Sequence, residues 1–209
     1  MLGSFDLQVA AVVALVVTLG VVGAGLARRT RFPRNVRVVA RREPPRWTEF
    51  VWVLGSLLAV FWPVGFLLFP KLASDWPAVP DFAGSWLVQL LGMVVVAGGA
   101  VLFSRAARAL GSQLTPAIQV QEGHRLLQEG PYRRIRHPMY TAILTIGLGQ
   151  TMLFLSPLAA LLTLLLVVLA VYRARLEESL LSSPEAFGRD YDLYAARTGR
   201  FLPRLRAKP

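Results

Sequence analysis

The sequence predicts an all-α fold: a multi-pass transmembrane helical bundle of about five spans, the last two forming a helical hairpin, with C-terminal helices on the cytoplasmic side. Three observations lead there. The AVILMFWYC set makes up 55% of the 209 residues and the charged set only 17%, against about 25% charged in an ordinary soluble domain. Mean hydropathy is +0.51. Yet 23 Lys and Arg stand against 12 Asp and Glu, a net charge of +11, so the apolar and basic residues must occupy different places. A disordered basic chain is excluded, and a soluble nucleic-acid binder is disfavoured. The absence of Cys removes disulfides, thiolate metal sites and cysteine nucleophiles.

The apolar stretches come in order. Phe5 to about Ala27 carries no charge after Asp6; Trp47 to Phe69 has Glu49 at its edge and Pro63 inside; Phe82 to Ser104 follows. Each satisfies the roughly 20 residues a helix needs to cross a bilayer. Pro138 to Leu155 and Pro157 to Tyr172 are short, and as one helix their 35 residues are too many. A hairpin turning at Ser156-Pro157 is preferred to a single kinked helix, since proline disfavours helix in the residue before it. The first stretch reads as a retained span rather than a signal peptide: no basic region precedes it, and its arginines follow it. Residues 1–82 then hold two spans and a basic loop, and residues 83–209 hold the candidate chemistry.

Charge supplies the topology. Eight arginines from Arg28 to Arg46 lie between spans one and two. Six, from Arg105 to Arg136, lie between spans three and four, and eight basic residues from Arg173 to Lys208 follow span five. Only Lys71 falls in the loop between spans two and three. The positive-inside rule makes the basic side cytoplasmic and puts the N-terminus outside. A single long last helix would put the basic tail outside, so the charge also supports the hairpin. Anionic membrane lipids account for the excess, and nucleic acid is not needed. Small residues four apart, as at Gly20 and Ala24 or Ala100 and Ser104, permit close helix approach. Gln89, Gln150 and Thr151 are expected in interhelical hydrogen bonds rather than along a polar path.

Candidate chemistry concentrates between Gly111 and Tyr140 and in the tail after Tyr172. Both histidines, His124 and His137, lie in the first region. Gly130-Pro131 marks a turn, and Pro138 suits the first turn of the next helix. His137 then precedes a helix N-terminus, where free N–H groups favour anions. An interfacial belt of Tyr and Arg explains part of this but does not require two histidines. In the second region, Glu177 and Glu178 are adjacent, so one helix face cannot hold both. Arg173 is an ordinary partner for Glu177 four residues on, and Arg175 is a lesser one for Glu178. Tyr191 and Tyr194 read as packing or interface seating.

The compound pattern Gly130-Pro-Tyr-x-x-x-Arg-His-Pro-Met-Tyr140, a hairpin, Glu177-Glu178, and Phe187-Gly-x-x-Tyr191-x-x-Tyr194 followed by Arg200-Phe-x-Pro203 resembles the isoprenylcysteine carboxyl methyltransferase family. Phospholipid methyltransferases belong to its wider group. The likeness covers about residues 90–205. It implies an integral membrane enzyme that binds S-adenosylmethionine on the cytoplasmic side and methylates a lipophilic small molecule or lipid at a carboxylate, amine or thiol, without a metal. His124, Leu126, Gly130, Pro131, Tyr132, Arg136, His137, Tyr140, Glu177 and Glu178 are the implied cofactor-binding residues, with Arg136, Tyr140 and Glu178 the implied catalytic ones. Within that pair Glu178 is expected to matter more, because Arg173 occupies Glu177. One departure stands out: family members often have Gly two residues after the motif tyrosine, and Ala142 here is expected to narrow the space beside the cofactor. No Gly-x-Gly-x-x-Gly follows a strand, which excludes a soluble dinucleotide-type cofactor fold. The alternatives are a membrane NADPH-dependent reductase of the sterol-reductase type and a non-catalytic protein that binds anionic lipid or a partner.

Overall fold

The computed structural model describes residues 4–27, 37–69, 82–115 and 117–204. Lys71, Arg28, Arg29, Arg31, Arg34, Arg206 and Lys208, all used in the topology argument, lie outside the described residues. Five apolar helices are present: α1 (Ser4–Ala27), α2 (Arg46–Leu68), α3 (Ser85–Leu110), α4 (Pro138–Phe154) and α5 (Pro157–Leu181). A short amphipathic helix, α6 (Arg189–Arg197), follows. Arg46–Gly65, Ser85–Gln113 and Pro157–Leu181 are long and apolar enough to cross a membrane, and Gln8–Ala24 is a shorter apolar stretch. Large aliphatic side chains such as Val94, Leu161 and Val168 are exposed while Gln89 and Gln150 are buried, the arrangement of an integral membrane protein.

The hairpin turns where proline places it. Leu155 takes a left-handed conformation and Ser156 is extended. The Ser156 hydroxyl then accepts from Ala159 N–H at 3.3 Å, capping α5. Gly147 of α4 lies so close to α5 that an added Cβ would stand 2.8 Å from Thr163 Oγ1, as two antiparallel neighbours require.

Two helices outrun their expected ends. α3 continues past Ser104, so Arg105 and Arg108 sit on its last turns rather than in a loop. α5 continues past Tyr172 to Leu181 and carries Arg173, Glu177 and Glu178 with it. Both helices are about 38 Å long at 1.5 Å per residue, longer than a hydrocarbon core of roughly 30 Å, and their charged ends extend past the apolar part.

Packing uses small residues: Ala100 and Ser104 are buried on α3, and the closest approaches fall at glycines. At Gly92 an added Cβ would stand 2.5 Å from Leu153 N, and at Gly149 2.6 Å from Val96 N. Here α3 and α4 touch backbone to backbone. Among the described residues nothing lies within 4 Å of such an atom at Gly20. Gln89 donates to the Leu153 carbonyl at 3.2 Å, an interhelical bond as expected. Thr151 instead bonds back to Gly147 O in its own helix at 3.0 Å, and Gln150, buried among side chains of α2, α4 and α5, has no side-chain hydrogen bond among the described residues, against expectation. Ala10, Ala11 and Ala14 seat α1 on Val96, Leu153 and Phe154. Trp52 of α2 packs on Ile143, Leu166, Leu169 and Ala170.

A small two-stranded sheet accompanies the helices. β1 (Val38–Arg41) and β2 (Gln119–Gln121) form a two-stranded antiparallel sheet that pairs Val38 with Gln121 and Arg41 with Gln119, with a bulge between Val38 and Ala40. Valines and arginines share Val36 to Arg42, and Ile118-Gln-Val-Gln121 alternates apolar and polar. That is a weak strand pattern, easily passed over beside long helices. Ile118 and Val120 pack on Leu180 of α5, so the sheet lies against the end of α5 that carries the glutamates.

Candidate active site

The site begins with a backbone weave between the motif and the tail. Gly130–Arg133 form a 3-10 turn, with Gly130 at φ +55°. The following extended residues pair with the chain after α6. Gly199 N–H donates to Arg134 O at 3.1 Å, Arg136 N–H to Gly199 O at 2.8 Å and His137 N–H to Arg200 O at 3.1 Å. Thr141 Oγ1 adds a bond to Phe201 O at 2.8 Å. Tyr194 Oη donates to Tyr132 O at 2.7 Å, which ties α6 to the motif turn. These bonds fix Arg136 and His137 just ahead of Pro138, where α4 begins.

The side chains then form a charged clasp. Glu178 Oε1 accepts from Arg136 Nε at 2.9 Å, from His137 Nε2 at 3.2 Å and from Arg200 Nε at 3.0 Å. Arg200 Nη2 also donates to Glu178 Oε2. On the other side of the imidazole, His137 Nδ1 lies 3.5 Å from Glu177 Oε2, which also accepts from Tyr140 Oη at 3.0 Å. His137 thus stands between two carboxylates. Burial by itself lowers its pKa, but Glu177 and Glu178 outweigh burial and raise it above the ordinary value. With a carboxylate at each ring nitrogen, the protonated ring donates on both sides.

Beside the clasp lies a cavity of about 480 Å³, within the range of small-molecule sites. His124, Leu126, Tyr132, Arg136, His137, Tyr140 and Glu177 line it. Gly130, Pro131 and Glu178 do not. The glycine and proline shape the turn, and Glu178 is enclosed by its three cationic partners. The adjacent glutamates therefore differ in kind. Glu177 presents to the cavity, while Glu178 positions Arg136, His137 and Arg200. The partner expected for Glu178, Arg175, takes no part in the clasp.

Several wall residues were not among the expected site residues. Arg173 is 3% exposed, lines the cavity, reaches Glu49 of α2 at 3.5 Å and lies over the Trp52 ring at 5.7 Å. Its spacing from Glu177 was the available signal, since residues four apart share a helix face. Arg173, Glu177, Leu180 and Leu181 run along one α5 face over about 12 Å at 1.5 Å per residue. Trp52, Val53, Leu57 and Val60 of α2, with Phe103 of α3, form an apolar slot at the Arg173 end. Tyr191 and Tyr194 also line the cavity; their place in the Phe187-Gly-x-x-Tyr191-x-x-Tyr194 pattern was the available signal, although each reads by itself as a packing tyrosine. Ala142 is buried and its carbonyl faces Gly99 of α3. It is absent from the cavity wall, so that departure falls on a helix contact instead.

The wall suits S-adenosylmethionine. Glu177 offers a carboxylate to an ammonium, and Tyr140, in edge contact with Trp52 at 5.0 Å, offers a ring face to a cation. Buried polar atoms on the wall, Ser56 Oγ, His124 Nε2 and Tyr191 Oη, have no partner among the described residues, and buried polar atoms ordinarily have one.

Comparison with known proteins converges on the same region. The model of the isoprenylcysteine carboxyl methyltransferase (ICMT) family matches residues 90–183. A probable protein-S-isoprenylcysteine O-methyltransferase of Oryza sativa subsp. indica is 32% identical over 126 residues, 59% of this chain and 65% of the rice protein. Protein-S-isoprenylcysteine O-methyltransferase B of Arabidopsis thaliana is 29% identical over 128 residues, covering 59% of this chain and 64% of its own. This chain thus spans somewhat less than two thirds of the length of those relatives. A solved structure of the eukaryotic intramembrane Ras methyltransferase ICMT superposes with a TM-score of 0.54 and 25% identity, covering 78% of this chain and 54% of that one. Residues 90–183 thus resemble the isoprenylcysteine carboxyl methyltransferase family.

Proposed function

We propose that the chain is an S-adenosylmethionine-dependent methyltransferase that acts on a lipophilic carboxylate at the cytoplasmic membrane face. The observation that carries this reading is a single cavity with Glu177, His137 and Tyr140 along its polar part, Arg173 at the turn, and an apolar slot beyond. The bound cofactor supplies an electrophilic methyl group on a sulfonium. Everything else is alignment and exclusion of water. Glu177 pairs with the cofactor's ammonium, and His137 and the Tyr140 hydroxyl hold that carboxylate in place. Arg173 orients the acceptor carboxylate, which needs no general base because it is already deprotonated. Val53 and Leu57 line the slot and are also exposed on the outer surface of α2, so a hydrocarbon tail can reach the slot from the lipid side. The relatives' names point to isoprenylcysteine as the carboxylate's carrier. In this scheme residues 83–209 hold the chemistry, and the helices of residues 1–82 wall the acceptor end.

Titration of the purified protein with S-adenosylmethionine tests the reading. Saturable binding that weakens in Glu177→Gln is expected, and no binding at millimolar cofactor by folded protein would overturn it. Orientation has its own test, because the chain has no Cys. An impermeant maleimide on intact cells is expected to label Ala83→Cys, and to label Gly123→Cys only after permeabilisation; the reverse pattern refutes the topology.

A further inference from the structure

Resting on the cofactor reading above, we propose that Tyr191 is a direct binding residue whose phenol donates a hydrogen bond to the carboxylate at the amino-acid end of S-adenosylmethionine. The argument starts from what each donor near the clasp already does. His137 faces Glu178 with one nitrogen and Glu177 with the other. Tyr140 donates to Glu177, and Tyr194 to the Tyr132 carbonyl. Arg136, implied by the resemblance to bind the cofactor, directs Nε to Glu178 and Nη1 to the carbonyls of Ala195 and Thr198. Three of its five N–H donors are thereby committed within the protein.

Tyr191 differs from all of these. The residue is 2% exposed, its ring meets Tyr194 edge-on at 5.9 Å, it lines the cavity, and its hydroxyl has no partner. Burial, reinforced by the nearby Glu178, raises its pKa, so the phenol remains a donor at neutral pH. An acceptor is what it lacks.

The chemistry of the ligand supplies one beside Glu177. An amino-acid end carries an ammonium and a carboxylate on one carbon, so a carboxylate follows wherever Glu177 takes the ammonium. The local charge accommodates it: Arg136, Arg200 and protonated His137 are three cations against the two carboxylates of Glu177 and Glu178. A neutral donor then gives the cofactor's carboxylate a directed bond without another buried charge. The same site discriminates against nucleosides that lack the amino-acid end.

The test compares Tyr191→Phe with the wild-type full-length chain in detergent, by calorimetric titration with S-adenosylmethionine and with decarboxylated S-adenosylmethionine, which keeps the ammonium. A hydrogen bond to a charged group corresponds to about tenfold or more in affinity. We expect Y191F to lose that factor for S-adenosylmethionine, to bind the decarboxylated form as the wild type does, and to keep its thermal midpoint. Equal losses for both ligands, no loss for either, or a lowered midpoint overturn the inference. Tyr194→Phe is the contrast: its hydroxyl holds the motif turn, so it is expected to lower the midpoint and to keep the preference for the carboxylated ligand. Failure of the wild type to bind either ligand overturns the methyltransferase reading and this inference together. Wild-type binding with an indifferent Y191F overturns the inference alone.

Discussion

The two sides of α4 are built on opposite principles. Toward α3 the helix meets its neighbour at backbone distance, through Gly92, Gly99 and Gly149. Toward α2 the contact runs through large side chains, with Trp52 against Tyr140 and Ile143, and part of the interval stays open as the cavity. The closed seam leaves α4 little freedom to slide or roll, so His137 and Tyr140 at its start keep their positions relative to α3. The open side can then be shaped by ligands without loosening the frame. Rigidity and access are assigned to different faces of one helix.

The largest expected effect comes from breaking the seam. Gly149→Leu or Gly92→Val drives side-chain atoms into facing backbone, and overpacking of this kind costs about 3 kcal/mol or more. Loss of the folded protein in detergent, seen as a collapsed thermal midpoint and a fall in yield, is the expected outcome. A midpoint within error of wild type would show that the seam is looser than its geometry.

The paired glutamates sharpen the comparison from the open side. Glu177→Gln is expected to weaken S-adenosylmethionine binding roughly 10- to 100-fold, the range of a charged hydrogen bond, with little change in thermal midpoint. Glu178→Gln removes the charge that Arg136, His137 and Arg200 share, and stability is expected to fall by about 2–3 kcal/mol. This reverses the order expected from the sequence, where Arg173 seemed Glu177's natural partner. In the structure Arg173 also reaches Glu49 of α2, while Glu177 holds His137 and Tyr140 at the cavity wall. Equal affinity losses in the two variants would dissolve the distinction between them.

A pH series probes the clasp more gently. The folded pKa of His137 is raised, so its stabilising contribution is fully present below its unfolded value of about 6.5 and is lost as pH rises through the folded value. The thermal midpoint is expected to fall across that window, by about 2–4 °C for each kcal/mol, and His137→Gln is expected to flatten the profile. A wild-type midpoint that rises over the same range would contradict the imidazolium assignment. The smallest effect belongs to Gly20→Ala on α1, where nothing stands near the added methyl. A change within about 0.5 kcal/mol is expected, and a larger one would reveal a contact for α1 there.

Hydropathy located the five apolar helices of the described residues because burial in lipid demands long uninterrupted apolar runs, and Pro157 marked the hairpin because its ring disfavours helix in the residue before it. Motif residues such as Tyr132, His137 and Tyr140 were legible because several unusual residue types coincide at fixed spacing. What escaped was three-dimensional choice. Adjacent glutamates look equivalent along the chain, yet the direction each takes depends on Arg200 and on tail carbonyls some twenty residues away. Arg173 looked like a surface partner until Trp52 and Glu49 came to meet it. The strand at Val38–Arg41 exists because Gln119–Gln121 pairs with it, a distant contact that local pattern cannot supply.

The weave of Arg134, Arg136 and His137 with Gly199 and Arg200 has a consequence in time. At about 5–20 residues per second of synthesis, the tail emerges several seconds after the motif it must hold. Until then the motif's amides lack their partners, Glu178 has not met Arg200, and α6 has not brought Tyr191 to the wall. A nascent chain with every span already inserted is therefore still silent. The cavity is walled only once the chain has been translated through Arg200, after the apolar helices have been made.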